Sequence, residues 1–504
     1  MGGSLSHSLY TAEQVRKLDA EAIQNHRIPG IELMKRAGQA VFDAALKGWP
    51  ALGRGGSLQV FCGAGNNGGD GYIIAALARR RYIPVRVIAL KDPNLLKGDA
   101  RKAWERFHDL GGHFEPWSPD IEINGTLVID AMLGTGLSGD VKGDFADAIS
   151  LINRSGRPVM AVDIPSGLSA DTGSELGEAV KADLTVTFIG LKQGLYTSAG
   201  PRCCGRVQFA RLNVPDSVYK CETPSAQLIG EQELSSQVHP RRRDAHKGDH
   251  GHLLVVGGDH GMGGAALMAA EAAMRCGVGL VTLATRAEHA MAAMMRCPEV
   301  MARRANTSAE LQPLLKGKSA VVIGPGLGKD SWGKELLQTV LESDLPVLMD
   351  ADALNIISES PELYKVRQQC VITPHPGEAS RLLGKPIADI IHDRFQSVKE
   401  LQVLCGDVAV LKGAGSLIQS ENRTDLCNAG NPGMGVAGMG DVLSGVIGAL
   451  IAQGHDTTLA ASLGVWLHAC AGDACAQADG ERGIAATDLI PVIRQKLNYL
   501  AGQG

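Results

Sequence analysis

Residues 63–71 read GAGNNGGDG and residues 428–445 read NAGNPGMGVAGMGDVLSG. Each is a glycine-rich loop placed to end a strand and open a helix. There, unpaired backbone N–H groups and about half a positive charge from the helix dipole hold an anion. A bare glycine turn has the simpler reading of a tight strand-to-helix connection, so the polar side chains carry the distinction. In the first loop Asn66 and Asn67 add amide oxygens and Asp70 a carboxylate, which an ordinary turn does not require. In the second, Asp441 stands at the start of an apolar helix, beside the place a phosphate would take.

Other loops fall where they would converge on these two. DAMLGTGLSGD at 130–140 and DIPSG at 163–167 follow predicted strands of the first half. In the second half LKGAGS at 411–416 ends a strand with Lys412, which can hold an anion through its ammonium and neighbouring N–H groups. One such loop is common; two in one half suggest a nucleotide. TPHPGE at 373–378 and DADALN at 350–355 follow two further strands. His375 is also readable as a hydrogen-bonded loop residue. HKGDHGH, with His246, Asp249, His250 and His252, has no matching distant ligand pattern and is read as ordinary loop. The Met-rich segment near 291–301 is read as packing material.

The elements that must position these loops alternate along the chain. Leading helices are expected near 10–48, with Thr11 and Glu13 as start signals and Gly48 with Pro50 as a stop. LQVFC, VRVIAL, TLVIDAML, PVMAVDIP and ADLTVTFIG read as buried strands, with helices at YIIAALARRR, 97–110 and 144–153 between them. That alternation predicts a doubly wound parallel sheet. Pro215, Pro224, Pro240 and Arg241 to Arg243 mark a connecting region, and the domain boundary is placed near 225, giving 1–224 and 225–504. HLLVVGG, GLVTLAT, AVVIGPG, PVLMDAD, CVITPH and VAVLKG, with an Ala-rich helix at 265–276, predict a second parallel sheet. The fold class is therefore α/β in both halves.

Composition removes several function classes. A net charge of −5 gathers no polyanion, so nucleic acid is not expected as a partner. Eleven scattered cysteines without a CxxC pair fit neither a disulfide framework nor a zinc site, and agree with a reducing cytoplasm. No apolar run is expected to reach the roughly 18 residues of a membrane span. The start, MGGSLS, formally matches a myristoylation pattern through Gly2 and Ser6 and is read as a leader.

In the order GNNGGDG, DAMLGTG and VDIPSG, the first 215 or so residues resemble the N-terminal domain of the bifunctional NAD(P)H-hydrate repair enzymes. The four segments of the second half resemble the ribokinase-like fold, and their wording is closer still to the ADP- or ATP-dependent NAD(P)H-hydrate dehydratases, from residue 246 onward. The resemblance implies a Rossmann-like epimerase domain and a ribokinase-like dehydratase domain. The first would interconvert the R and S forms of hydrated NADH and NADPH. The second would dehydrate the S form with ADP, releasing AMP and phosphate.

By that resemblance Asn66, Asn67, Gly68, Gly69, Asp70, Gly134, Thr135, Gly136, Leu137, Ser138, Gly139, Asp140 and Asp163 contact the hydrate in the first domain. Asn67, Asp130 and Ser166 supply oxygens to K+, although the residues alone equally permit Mg2+ or no metal, with Asp130 merely capping its loop. Ala265, Gly326, His375 and Asp441 contact the hydrate in the second domain, and Lys412, Gly413, Ala414, Gly415, Ser416 and Gly440 the nucleotide, with Glu378 near Mg2+. Asp163 and Asp441 are the expected catalytic carboxylates; a structural role bracing the DIPSG turn is the competing reading of Asp163. The resemblance implies NADHX, NADPHX and ADP as substrates, and a cytoplasmic homo-oligomer without membrane association is expected. The alternative is a ribokinase-fold small-molecule kinase fused to a noncatalytic nucleotide-binding module.

Overall fold

A computed structural model describes residues 7–502, so Gly2 and Ser6 lie outside the described residues. The chain divides into two compact units, one ending at Gln227 and the other beginning at Leu228.

The first unit is built on seven parallel strands in the spatial order Phe114–Pro116, Val85–Ala89, Leu58–Cys62, Leu127–Ala131, Val159–Val162, Leu184–Phe188 and Arg206–Ala210. The four strands from Leu58, Leu127, Val159 and Leu184 are buried along their whole length, as a sheet covered by helices on both faces requires. From Leu58–Cys62 the chain winds outward on one side, then returns to Leu127–Ala131 on the other. These two adjacent strands form a switch point, the place where open α/β sheets take ligands. The leading helix Ala12–Gln24 starts at Thr11 as its sequence suggests. The Thr11 hydroxyl accepts from Gln14 N at 3.2 Å, and Thr11 N donates to Gln14 Oε1 at 3.0 Å.

One difference from the sequence reading matters for the site: the helix after the first strand begins at Asn66, so NNGGDG is its first turn and a half rather than a loop. Glycine is needed for packing at both ends of the turn. A Cβ on Gly63 would overlap the Met132 carbonyl oxygen, and one on Gly68 the Gly63 carbonyl oxygen. The parallel edge strands Phe114–Pro116 and Arg206–Ala210 were also absent from the sequence reading, being short or partly exposed.

In the second unit, nine strands run in the order Met301–Arg304, Leu280–Thr285, His252–Val256, Ala320–Ile323, Val347–Met349, Cys370–Ile372, Val408–Leu411, Ser416–Gln419 and Thr424–Cys427. The first seven are parallel. The last two are antiparallel, which corrects the expectation of a purely parallel second sheet: KGAGS turns straight back into a hairpin instead of feeding a crossover helix. The switch point lies between His252–Val256 and Ala320–Ile323.

Behind the second sheet, helix Met439–Ala452 is buried along almost its whole length after its first turn. A Cβ on Gly445 would overlap the Ala269 carbonyl oxygen and one on Gly448 the Val322 side chain, so this helix approaches helix and sheet more closely than side chains permit. Helix Thr457–Asp479 is long and apolar enough to cross a membrane by length and composition, contrary to the sequence reading, yet 67% of its apolar window is buried within the fold, as in a core helix. The Met-rich segment is corrected too. Met291, Met294 and Met295 are exposed, and Met301 opens the edge strand, because the helix is only Ala290–Arg296 and turns its methionines outward.

Candidate functional site

Asn66, Asn67, Asp70, Gly134 to Ser138 and Asp163 line one open cleft of about 740 Å³ at the first unit's switch point. That volume suits a ligand of dinucleotide class. Gly68, Gly69, Gly139 and Asp140 do not line it; Gly69 faces Met34, and Asp140 is exposed. The helix from Asn66 has no side-chain cap on its first N–H groups, which leaves them to water or an anion.

Asn67 is buried, yet neither its amide oxygen nor its nitrogen has a hydrogen-bond partner. An orphaned buried amide is costly and rare. Asp130, in strand Leu127–Ala131, and Ser166 are wholly buried. Asp130 accepts from Ser166 N at 2.7 Å, Ser166 Oγ at 2.6 Å and Met132 N at 3.2 Å. Ser166 Oγ also accepts from Leu133 N at 2.8 Å, which ties the two loops together. Burial pushes the Asp130 carboxyl up to about 6 despite those hydrogen bonds.

Asp163 follows strand Val159–Val162 with φ of 68°, in the left-handed region that few non-glycine residues occupy. Its carboxylate accepts from Phe188 N at 3.1 Å and Thr187 Oγ1 at 3.3 Å, and pairs with Lys192. Lys192 is fully buried and also donates to Thr187 Oγ1 at 3.1 Å and to the Phe188 carbonyl at 3.0 Å. Asp70 is held well above the carboxylate range by burial and by the charges of Asp163 and Asp19, against the pull of Lys192.

In the second unit, Lys412 Nζ lies 2.8 Å from Asp350 Oδ1 and 3.8 Å from Glu378 Oε2, and Ser444 Oγ donates to Asp350 Oδ2 at 2.7 Å. Burial pulls the Lys412 ammonium down, but Asp350, Glu378 and Asp441 more than offset it and leave it above its usual value. Gly440 sits over this pair: a Cβ there would be 3.3 Å from Lys412 Nζ and 3.4 Å from Asp350 Oδ2. Asp441, in the uncapped first turn of helix Met439–Ala452, is pushed up to about 7 by burial and the charge of Asp350, against Lys412. The loop 413–416 is held from beneath by buried Arg394, which donates to the carbonyls of Leu411 at 3.1 Å, Lys412 at 3.3 Å and Gly415 at 3.2 Å.

Ala265 and Gly326 meet at this unit's switch point, where a Cβ on Gly326 would be 3.3 Å from that of Ala265. The same loop reaches the acidic strand end, because Gly328 N donates to Asp352 Oδ2 at 2.9 Å. His375 caps its own helix: Nδ1 accepts from Gly377 N at 3.0 Å, and burial with the nearby Lys412 charge lowers its proton affinity. With Nδ1 accepting, the ring N–H lies at Nε2, 3.3 Å from Glu378 Oε1. Among the described residues no cluster of three His, Cys, Asp or Glu side chains is set to hold a metal.

Comparisons with known proteins bear on both units. Residues 30–194 match a family described as YjeF-related protein N-terminus, and residues 253–495 match one described as NAD(P)H-hydrate dehydratase. The chain is 45% identical over 491 residues to the bifunctional NAD(P)H-hydrate repair enzyme of Coxiella burnetii, covering 97% of this chain and 99% of that one. This chain belongs to the bifunctional NAD(P)H-hydrate repair enzymes. The member of the family from Escherichia coli is 40% identical, covering 98% of this chain and 95% of its own length. A ribokinase-like superfamily structure from Enterococcus faecalis aligns with a TM-score of 0.51 at 26% identity, covering 55% of this chain and 96% of that one.

Several residues that build the two sites of this repair enzyme escaped the sequence reading. Asp19 lies in a leading helix with no glycine-rich loop to flag it. Lys192 was detectable as a lysine inside the apolar run FIGLKQGL, which a solvated turn does not need. Asp350 lay inside the DADALN segment without a role, and nothing in the sequence marks Arg394.

Proposed function

We propose that the first unit epimerises the R and S forms of hydrated NADH and NADPH, and that the second dehydrates the S form with ADP to give NAD(P)H, AMP and phosphate. The epimerase domain is assigned to 1–224 and the dehydratase domain to 225–504. The observation that carries the reading is that one chain holds two separate uncapped helix ends, each with a partly buried carboxyl and a lysine: Asp163 with the buried Lys192, and Asp441 with Lys412. The cytoplasm is the proposed setting, where eleven free thiols persist.

In the first unit the hydroxyl on C6, next to the ring nitrogen, departs and returns, and Asp163 moves the proton. Potassium fits the residues present: Asn67 offers an orphaned buried amide oxygen, and Asp130 and Ser166 add oxygens only, the donor type a hard cation takes. Bound there, the ion would fix the two loops and offset the charge of Asp130.

In the second unit Lys412, Gly413 to Ser416 and Gly440 would hold the nucleotide phosphates, with Ala265, Gly326 and His375 on the hydrate. Hydroxide leaves poorly, so the hydroxyl first takes a phosphoryl group from ADP and phosphate is then eliminated. Asp441 accepts the hydroxyl proton as the phosphoryl group arrives, a task suited to a carboxyl poised near neutral pH. Mg2+ carried with the nucleotide would lie near Glu378 and neutralise phosphate charge.

The test is to incubate purified hydrate epimers with the protein, with and without ADP, and follow each by chromatography. Without nucleotide the epimers should equilibrate; with ADP both should vanish, with one inorganic phosphate and one AMP formed per NADH restored. A stable phosphorylated product would instead indicate a kinase and overturn the reading.

A further inference from the structure

The first unit's cleft holds more carboxyls than its one buried cation can serve. Asp19 from helix Ala12–Gln24, Asp70 from helix Asn66–Arg80 and Asp163 from the end of a strand all line it, with Lys192; Arg16 and Asp99 are the other charged groups of the lining. An ammonium has three N–H bonds. Those of Lys192 have three partners already, Asp163, Thr187 Oγ1 and the Phe188 carbonyl. Arg16 turns its guanidinium toward the Thr135 carbonyl, at 3.5 Å. Asp19 and Asp70 therefore face the cleft without a hydrogen-bond or ion-pair partner among the described residues. Asp70, at 9% exposure, and the orphaned amide of Asn67 point to something that enters the cleft and satisfies them.

We propose that Asp19 is a second catalytic acid–base group of this cleft, carrying the proton at one face of the hydrated nicotinamide ring while Asp163 carries it at the other. The inference rests on the epimerase reading and deepens it. Inverting C6 requires the hydroxyl to leave one face and water to join the opposite one, so a single carboxyl on a single face cannot serve both events. The C6–O bond breaks with its electron pair on oxygen, the Asp19 proton joins that oxygen, and water departs as the ring nitrogen's lone pair forms a C=N bond. Water then adds from the opposite face, the C=N pair returns to nitrogen, and the water's surplus proton goes to the Asp163 carboxylate. One proton has passed from Asp19 to Asp163, nothing is oxidised or reduced, and solvent in the open cleft resets the pair. The reverse epimerisation uses the same two groups in opposite order.

Asp19 suits the role better than Asp70. Burial and Asp163 push Asp19 to about 6, against Lys192, so it gains and loses a proton near the working pH. Asp70 lies deeper, and burial with the charges of Asp163 and Asp19 holds its carboxyl well above the usual carboxylate range.

The experiment is Asp19→Asn in the full chain, assayed for epimerisation without nucleotide. Epimerase kcat should fall about 10²- to 10⁴-fold, with KM for the hydrate within about threefold, and the limb of the kcat–pH profile near 6 should disappear. Asp19→Glu should recover part of kcat together with that limb. ADP-dependent consumption of the S epimer should be unchanged. Epimerisation by Asp19→Asn within about threefold of the wild type overturns the proposal. A rise in KM without loss of kcat also overturns it, as does an Asp19→Glu variant no faster than Asp19→Asn. If the wild-type chain fails to epimerise at all, the epimerase reading itself has failed, which is a different outcome.

Discussion

Asp441→Asn should cost activity and add stability. In the folded chain the Asp441 carboxyl is pushed by burial and by Asp350 from an ordinary 3.8 to about 7. Because the fold raises its proton affinity, the unfolded chain gives up this proton first as pH climbs, and stability declines between about pH 4 and 7. At 1.36 kcal/mol per tenfold change in proton affinity, keeping Asp441 ionised above pH 8 costs at most ~4 kcal/mol. Its partial exposure reduces that to roughly 2 kcal/mol. Asparagine preserves the shape and carries no charge. The variant's second unit should therefore be about 1–3 kcal/mol more stable than wild type at pH 8, with a smaller gain at pH 5 and none below pH 4. Urea unfolding at each pH, followed by a probe within the second unit, measures this, while phosphate release from ADP should fall by about 10²–10⁴-fold. An equal gain at pH 5 and 8 would refute the electrostatic argument, and near-normal phosphate release would refute the role.

Three further outcomes follow from other contacts. Asn67→Leu removes an unpartnered buried amide, so the potassium-free protein should lose no stability, while any rise in thermal midpoint on exchanging NaCl for KCl should vanish. Lys412→Met leaves Asp350 and Glu378 buried without their cation; it should destabilise the second unit by roughly 3 kcal/mol in urea titration and weaken ADP binding at least tenfold by calorimetry. Gly63→Ala drives a methyl into the Met132 carbonyl and should cost about 1–3 kcal/mol of first-unit stability, while ADP-dependent dehydration of the S epimer proceeds normally.

The parts of the fold legible in the sequence were those governed by local pattern. Buried five-residue strands such as Leu58–Cys62 and Leu127–Ala131 are continuous apolar runs, and the glycine loops beside them announce a switch point. What stayed hidden depends on distant partners. Phe114–Pro116 is too short and exposed to show periodicity, and the reversal after KGAGS depends on pairing with Thr424–Cys427. The same division runs through the sites. Residues in glycine-rich segments could be singled out by spacing, and Lys192 by its apolar surroundings, whereas Asp19 and Arg394 become informative only once three-dimensional packing brings them to loops far away in the chain. NNGGDG read as a loop because its glycines disfavour a helix, yet a Cβ on Gly68 would overlap the Gly63 carbonyl oxygen and one on Gly71 would press into Cys62 Sγ and Ala131 Cβ.

The left-handed backbone at Asp163 narrows what evolution or an engineer can place there. Glycine relaxes the conformation but removes the carboxylate; asparagine tolerates it but cannot take a proton. Glutamate keeps the acid, yet it meets the steric penalty of that region, about 1–2 kcal/mol, and would swing the carboxylate away from Phe188 N. The common Asp-to-Glu drift is thereby closed at this position, and any homologous sequence that retains the acid should spell it with the shorter side chain.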